Sequence, residues 1–258
     1  MKHFLCLALA TTAIGCAGVT LNKEHFDKVK KVAIVGFTGE IDLSSPNDKN
    51  TKTGFGAIVN VSKGISEMAN GEFKERRIAQ GEKVYAMLSE KLGSTLGWAM
   101  IGKDALAANA DYKKLLDANE SGGLGSGYGL QYVPTVLREE TARSLDDAAR
   151  ASLLKSLGAD AIAVVRVKYV VGETGGFAMG GMGHTTKYPK AIVQLSLLDG
   201  TPADPTWKEP WAEGKPSKEG IENTMGVESD ANETAALVAA ADSAIGVLLG
   251  RAQEKRTH

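Results

Sequence analysis

Cysteine is nearly absent from this 258-residue chain, and the only two stand at Cys6 and Cys16. No thiol follows residue 16, which excludes disulfides, a cysteine nucleophile and thiolate metal sites from everything beyond it. Histidine is equally sparse. His3, His25, His184 and His258 are scattered, and no pair has the HExxH or i,i+4 spacing of a zinc-binding helix. Charge of one sign is missing too: 30 Lys and Arg against 31 Asp and Glu leave −1. Without a basic stripe, nucleic acid is not the expected partner. No repeat with a period of roughly 20–50 residues is visible.

Reactive motifs are also missing. Gly97-Trp98-Ala99-Met100-Ile101-Gly102-Lys103 copies the spacing of a phosphate loop, but Asp104 stands where Ser or Thr must hold magnesium. Its apolar interior reads as a strand. The glycine run at 122–129 does not satisfy G-x-G-x-x-G, and no G-x-S-x-G elbow is present. Glu139-Glu140 and Asp146-Asp147 are adjacent rather than converging, and read as solvated faces or helix starts. No catalytic residue, cofactor or metal is expected, and the chain reads as a non-enzyme.

What is present begins with an address. Lys2 and His3 precede an apolar run at residues 4–9, and small residues lead to Gly15-Cys16-Ala17-Gly18. These are the parts of a secretory signal peptide. About a dozen apolar or small residues are too few for a lasting membrane helix. Thr12-Ala13-Ile14-Gly15-Cys16 resembles a bacterial lipobox, with Cys16 as the lipid (palmitate) attachment site; cleavage after Gly18 is the alternative. Two or more acyl chains on one residue suffice for a stable anchor. Ala17, not an acid, follows, which in such lipoproteins goes with sorting to the outer membrane. The expected organisation is a signal peptide at 1–15, an anchor and linker at 16–30, and one domain at 31–258.

Within that domain, residues 30–37 read as a buried first strand and residues 42–71 as a long polar segment interrupted by an apolar stretch at 55–61. Val84, Leu88, Leu92 and Leu96 recur every four residues and predict a helix over 72–96, stopped by Gly97. A short strand at 98–101 and a helix over 104–118 follow. Ser144 looks like the N-cap of a helix ending at Gly158. Residues 160–171 and 191–198 read as two strands of a long antiparallel hairpin joined by a Gly/Met-rich connection, and 231–253 as a final helix. The expected class is α/β: one three-layer-like domain, a mixed sheet covered by helices. At the tip of the hairpin, Phe177, Met179, Met182 and Tyr188 are interaction candidates, because apolar side chains on an exposed tip mark contacts.

Lys31-Val32-Ala33-Ile34-Val35-Gly36-Phe37, Leu88-Ser89-Glu90-Lys91-Leu92, the turn Leu157-Gly158-Ala159-Asp160-Ala161-Ile162 and Val193-Gln194-Leu195-Ser196-Leu197-Leu198-Asp199 occur in this order around a glycine-rich hairpin. In that layout the chain resembles the periplasmic α/β domain of the curli-secretion (CsgG-like) lipoprotein family. The resemblance implies an envelope lipoprotein engaged in outer-membrane assembly or secretion. Pores of that family insert hairpins whose strands need roughly 9–11 residues each. Here the 172–188 excursion reads as short and poorly alternating, and 55–61 as too small. The expectation is therefore a non-enzymatic, lipid-anchored envelope protein at the periplasmic face of the outer membrane. Its partners would be the membrane through Cys16, an unidentified envelope protein, and a second copy of itself in a homo-oligomer. A subunit of an oligomeric secretion pore and a soluble periplasmic hydrolase are the alternatives.

Overall fold

The computed structural model describes residues 18–43, 71–120, 130–179, 182–200, 205–224, 227–228 and 232–257. Cys16 and the stretches 55–61 and 122–129 lie outside them. In chain order the elements are β1 (Thr20–Leu21), α1 (Lys23–Phe26), β2 (Lys31–Asp42), α2 (Glu72–Leu96), β3 (Ala99–Ile101), α3 (Lys103–Ala108), α4 (Ala110–Glu120), β4 (Leu130–Gln131), α5 (Glu139–Arg143), α6 (Asp147–Leu157), β5 (Ala161–Met179), β6 (Met182–Leu198), β7 (Trp207–Glu213), β8 (Ile221–Thr224), β9 (Val227–Glu228) and α7 (Glu233–Thr257). The strands join in one mixed sheet of order β1-β7-β6-β5-β2-β3, with β4 on β2, β8 on β6 and β9 on β8.

Alternation along the central strands sorts side chains to two faces. Val32 and Ile34 of β2 and Ala163, Val165 and Val167 of β5 meet Val84, Leu88 and Leu92 of α2 and Leu237, Ala241 and Leu248 of α7. Ala33, Val35, Ile162 and Val164 meet Leu106, Tyr112, Ala142 and Leu153 from α3 to α6. Helices thus cover both faces, and the class is α/β. The helix α7 is long and apolar enough to cross a membrane, yet Ala236, Ala240, Ala241 and Ala244 are fully buried against the sheet. Small residues let it approach closely. The second face is covered unevenly: its core cluster takes residues from β2, β3 and β5, reaches β6 only at Leu198, and includes none from β7.

Folding starts earlier than the linker expectation at 16–30 allowed. β1 pairs with β7 through Thr20↔Lys208 and Leu21↔Trp207. Phe26 is buried against Trp98 and Trp207, at ring distances of 5.2 and 5.8 Å. His25 Nδ1 lies 2.6 Å from Asp199 Oδ2, and Arg256 donates to Asp27 at 2.8 Å. The segment from residue 20 is clamped to the body.

Three local readings change. The expected helix over 104–118 is two helices, because Asn109 breaks it and its side-chain oxygen accepts the N–H groups of Asp111 and Tyr112 at 3.1 and 2.9 Å. Asp146, not Ser144, caps α6, accepting from Ala149 N at 2.7 Å; Ser144 instead closes α5. The Gly/Met-rich connection is not a loop, since the β5–β6 ladder continues to Met179↔Met182.

Candidate functional site

The hairpin outgrows the sheet that carries it. β2 follows β5 as far as Asp42↔Val170, and β7 follows β6 as far as Glu213↔Ile192. Beyond these points β5 and β6 pair with each other from Glu173↔Tyr188 outward, braced on the β6 side by β8 and β9. Residues 172–179 extend this arm by roughly 25 Å at the rise of an antiparallel strand. Gly176 makes that regularity attainable: its φ is +95°, and a Cβ there would sit 2.2 Å from the His184 carbonyl oxygen.

The hairpin candidates divide along the arm. Phe177 is 68% exposed and stands opposite His184. Met179 and Met182 are the terminal backbone pair of the ladder. Tyr188 is at the base, where a Cβ on Gly175 or Gly220 would meet its ring at 3.5 or 3.1 Å. Its half-buried ring lies over these two glycines and helps hold the arm together. The excursion expected to be irregular is therefore an ordered β-arm, because cross-strand pairing overrides the low strand propensity of its glycines.

A second feature escaped the sequence. Where the helices stop short of β6 and β7, a cleft of about 570 Å³ opens, lined by Glu139, Glu140, Arg143, Arg166, Gln194 and Lys208 among others. Glu139 is only 3% exposed, so half of the acidic pair read as solvated is buried. Its Oε1 accepts from Arg143 Nε at 2.5 Å and its Oε2 is 3.1 Å from Arg166 Nη2. Its own N–H donates to Thr38 Oγ1 at 3.0 Å. Arg166 also bonds Glu140. Burial alone would lower the Arg166 pKa, but the carboxylates of Glu139 and Glu140, with Glu40 further off, raise it above the ordinary value. Nothing local in the sequence announces this cluster, since Arg166 and Gln194 arrive from strands far along the chain.

A third polar group is enclosed where α2 meets the start of α7. Arg77 Nη1 donates to Glu233 Oε1 and to Gln80 Oε1, both at 2.8 Å, and Gln131 Nε2 reaches Gln80 Oε1 at 3.3 Å. All four side chains are buried. Among the described residues no group of three His, Cys, Asp or Glu side chains is placed to hold a metal ion. The chain matches no protein-family model and no curated protein.

Proposed function

We propose that this chain is a lipid-anchored, non-enzymatic envelope protein, CsgG-like in its α/β domain, that engages a partner protein through the far end of its β-arm. The supporting observation is the opposition of two ends of one strand. The described chain enters the sheet at β1, which pairs with β7 beside Leu197, at the foot of β6. The arm ends at Met182, fifteen residues away along the same strand, or roughly 50 Å at ~3.4 Å per residue. Cys16 precedes Thr20 by four residues, so an acyl group there keeps the foot of β6 within about 15 Å of its bilayer. With the foot tethered, the tip of the arm is free to reach up to roughly 50 Å from that membrane.

This polarity favours the contact reading over a pore subunit whose hairpin enters the anchoring membrane. The arm's own composition agrees with it, because the exposed Glu173 and Thr174 and the half-buried Thr185 suit a protein surface better than lipid. The experiment is palmitate labelling and membrane fractionation of the native chain and Cys16→Ala, with site-directed photocrosslinking from position 177. Label and membrane retention lost in Cys16→Ala, with crosslinks to a protein, support the reading. Label retained in that variant removes the anchor; crosslinks to lipid acyl chains, or conductance in planar bilayers, turn the reading towards a pore.

A further inference from the structure

We infer that the cleft between α5 and the uncovered strands β6 and β7 is a binding site for a carboxylate group, carried by a small organic acid or by the C-terminus of a peptide. Its volume, about 570 Å³, falls within the range of about 300–1,000 Å³ typical of small-ligand sites. The site lies on the sheet rather than on the arm, so it stands apart from the arm contact proposed above.

The donors are held in place before any ligand arrives. Glu139 is buried and fixed from behind by Thr38, and it grips Arg143 by Nε and Arg166 by Nη2. A guanidinium carries five N–H groups, and these contacts use only some of them. Arg143 Nη1 spends one more on Ser196 Oγ at 3.3 Å. Among the described residues the Gln194 amide and the Lys208 ammonium have no hydrogen-bond partner, and both line the same cleft. Planar guanidinium donors oriented by a buried acid match a carboxylate better than flexible surface lysines do.

Charge selects the ligand. Arg143, Arg166 and Lys208 face Glu139 and Glu140; Glu209 also lines the cleft but is balanced by Arg251 Nη1 at 3.1 Å. The lining groups leave at most one positive charge, with Glu40 acting on Arg166 from outside the cleft, which suits a carboxylate rather than a doubly charged phosphate. Glu140 is exposed and bonded to Arg166, and so it occupies the position an incoming carboxylate would take.

Isothermal titration of the full chain at fixed ionic strength with propionate, N-acetyl-Gly-Gly, its C-terminal amide and inorganic phosphate tests this. Saturable binding of a free carboxylate, with none of the amide, is expected. Lys208→Gln should weaken it about tenfold and Glu140→Gln should tighten it about tenfold, the size of one charge-assisted hydrogen bond gained or lost. Both positions are exposed, so neither change threatens the fold. Tighter binding of N-acetyl-Gly-Gly assigns a peptide terminus, and tighter binding of propionate a small acid. Equal binding of acid and amide, preference for phosphate, no saturable binding, or indifference to both substitutions overturns the inference.

Discussion

Tyr85 and Tyr112 approach β2 from opposite faces of the sheet and donate to successive carbonyls, Ile34 at 3.1 Å and Val35 at 3.0 Å. The pairing of β2 with β5 shifts register between Ile34 and Gly36, leaving Val35 as the extra residue of a bulge. Its carbonyl has lost its place in the ladder, and a buried carbonyl without a partner is costly. Tyr112 supplies the partner from α4, and its oxygen also accepts the Leu137 N–H at 2.9 Å. Burial pushes both phenols up, so each remains a neutral donor.

Tyr112→Phe removes the partner of two buried backbone groups, whereas Tyr85→Phe removes one hydrogen bond, to the Ile34 carbonyl. The expected losses in urea denaturation are about 2–4 kcal/mol for Tyr112→Phe and about 1–2 kcal/mol for Tyr85→Phe. Equal losses would falsify the account of Tyr112 as the bridge across the bulge.

How far the sequence foretold these parts depends on how local their causes are. The helix α2 was legible because its apolar period and its stop, Gly97 with φ +74°, lie within it. β3 was legible for the same reason. The break between α3 and α4 was hidden because one side chain, Asn109, decides it in an otherwise continuous helical pattern. β7 was missed because Pro210 interrupts its alternation, and the structure accommodates it where the β6–β7 register slips. The arm's glycines read as a loop because the bonds that order them join β5 to β6, which β8 braces in turn. Burial of Glu139 was hidden because one of its two cations, Arg166, is contributed by β5, while the other, Arg143 at i+4, reads equally well as a surface pair.

Close packing of α7 on the sheet edge is tested by two glycines. A Cβ on Gly214 would stand 2.5 Å from Ala244 N and 2.9 Å from its Cα, backbone atoms of a helix that cannot yield locally. Gly214→Ala should therefore cost about 1–3 kcal/mol. On the same helix a Cβ on Gly246 meets nothing within 4 Å, so Gly246→Ala should stabilise by about 0.5–1 kcal/mol through helix propensity. Thermal melts of the two variants should move in opposite directions.

The enclosed pair of Arg77 and Glu233 has side chains 9% and 10% exposed. Arg77→Met leaves the buried Glu233 carboxylate with only Arg76 Nε at 3.4 Å and Gln80 Nε2 at 3.2 Å, so it should cost about 3 kcal/mol, the low end for a broken buried pair. Replacing Glu233 by Met in the same chain should recover part of that loss, because the buried carboxylate that has lost its shortest ion pair is gone. A double-mutant cycle in urea measures the coupling; purely additive losses would show that the ion pair contributes nothing of its own.

Acid should act first on visible ground at Trp211, the 51% exposed indole of β7. The Glu213 carboxylate accepts Lys190 Nζ at 2.5 Å and Trp211 Nε1 at 2.9 Å. The Lys190 hydrogen bond, and after it that of Trp211, hold Glu213 below the ordinary carboxylate value of 4.5. A carboxyl group lowered in the folded state contributes stability above its unfolded pKa and loses it as pH falls through the folded one. Trp211 emission should thus change in a single step centred below pH 4.5, as protonation weakens the acceptor of the indole N–H. In Glu213→Gln the amide oxygen still accepts that N–H but cannot titrate, so the acid step should vanish. A step that survives in Glu213→Gln, or one centred above pH 4.5, would assign the signal to another acid and break the link between Glu213 and Trp211.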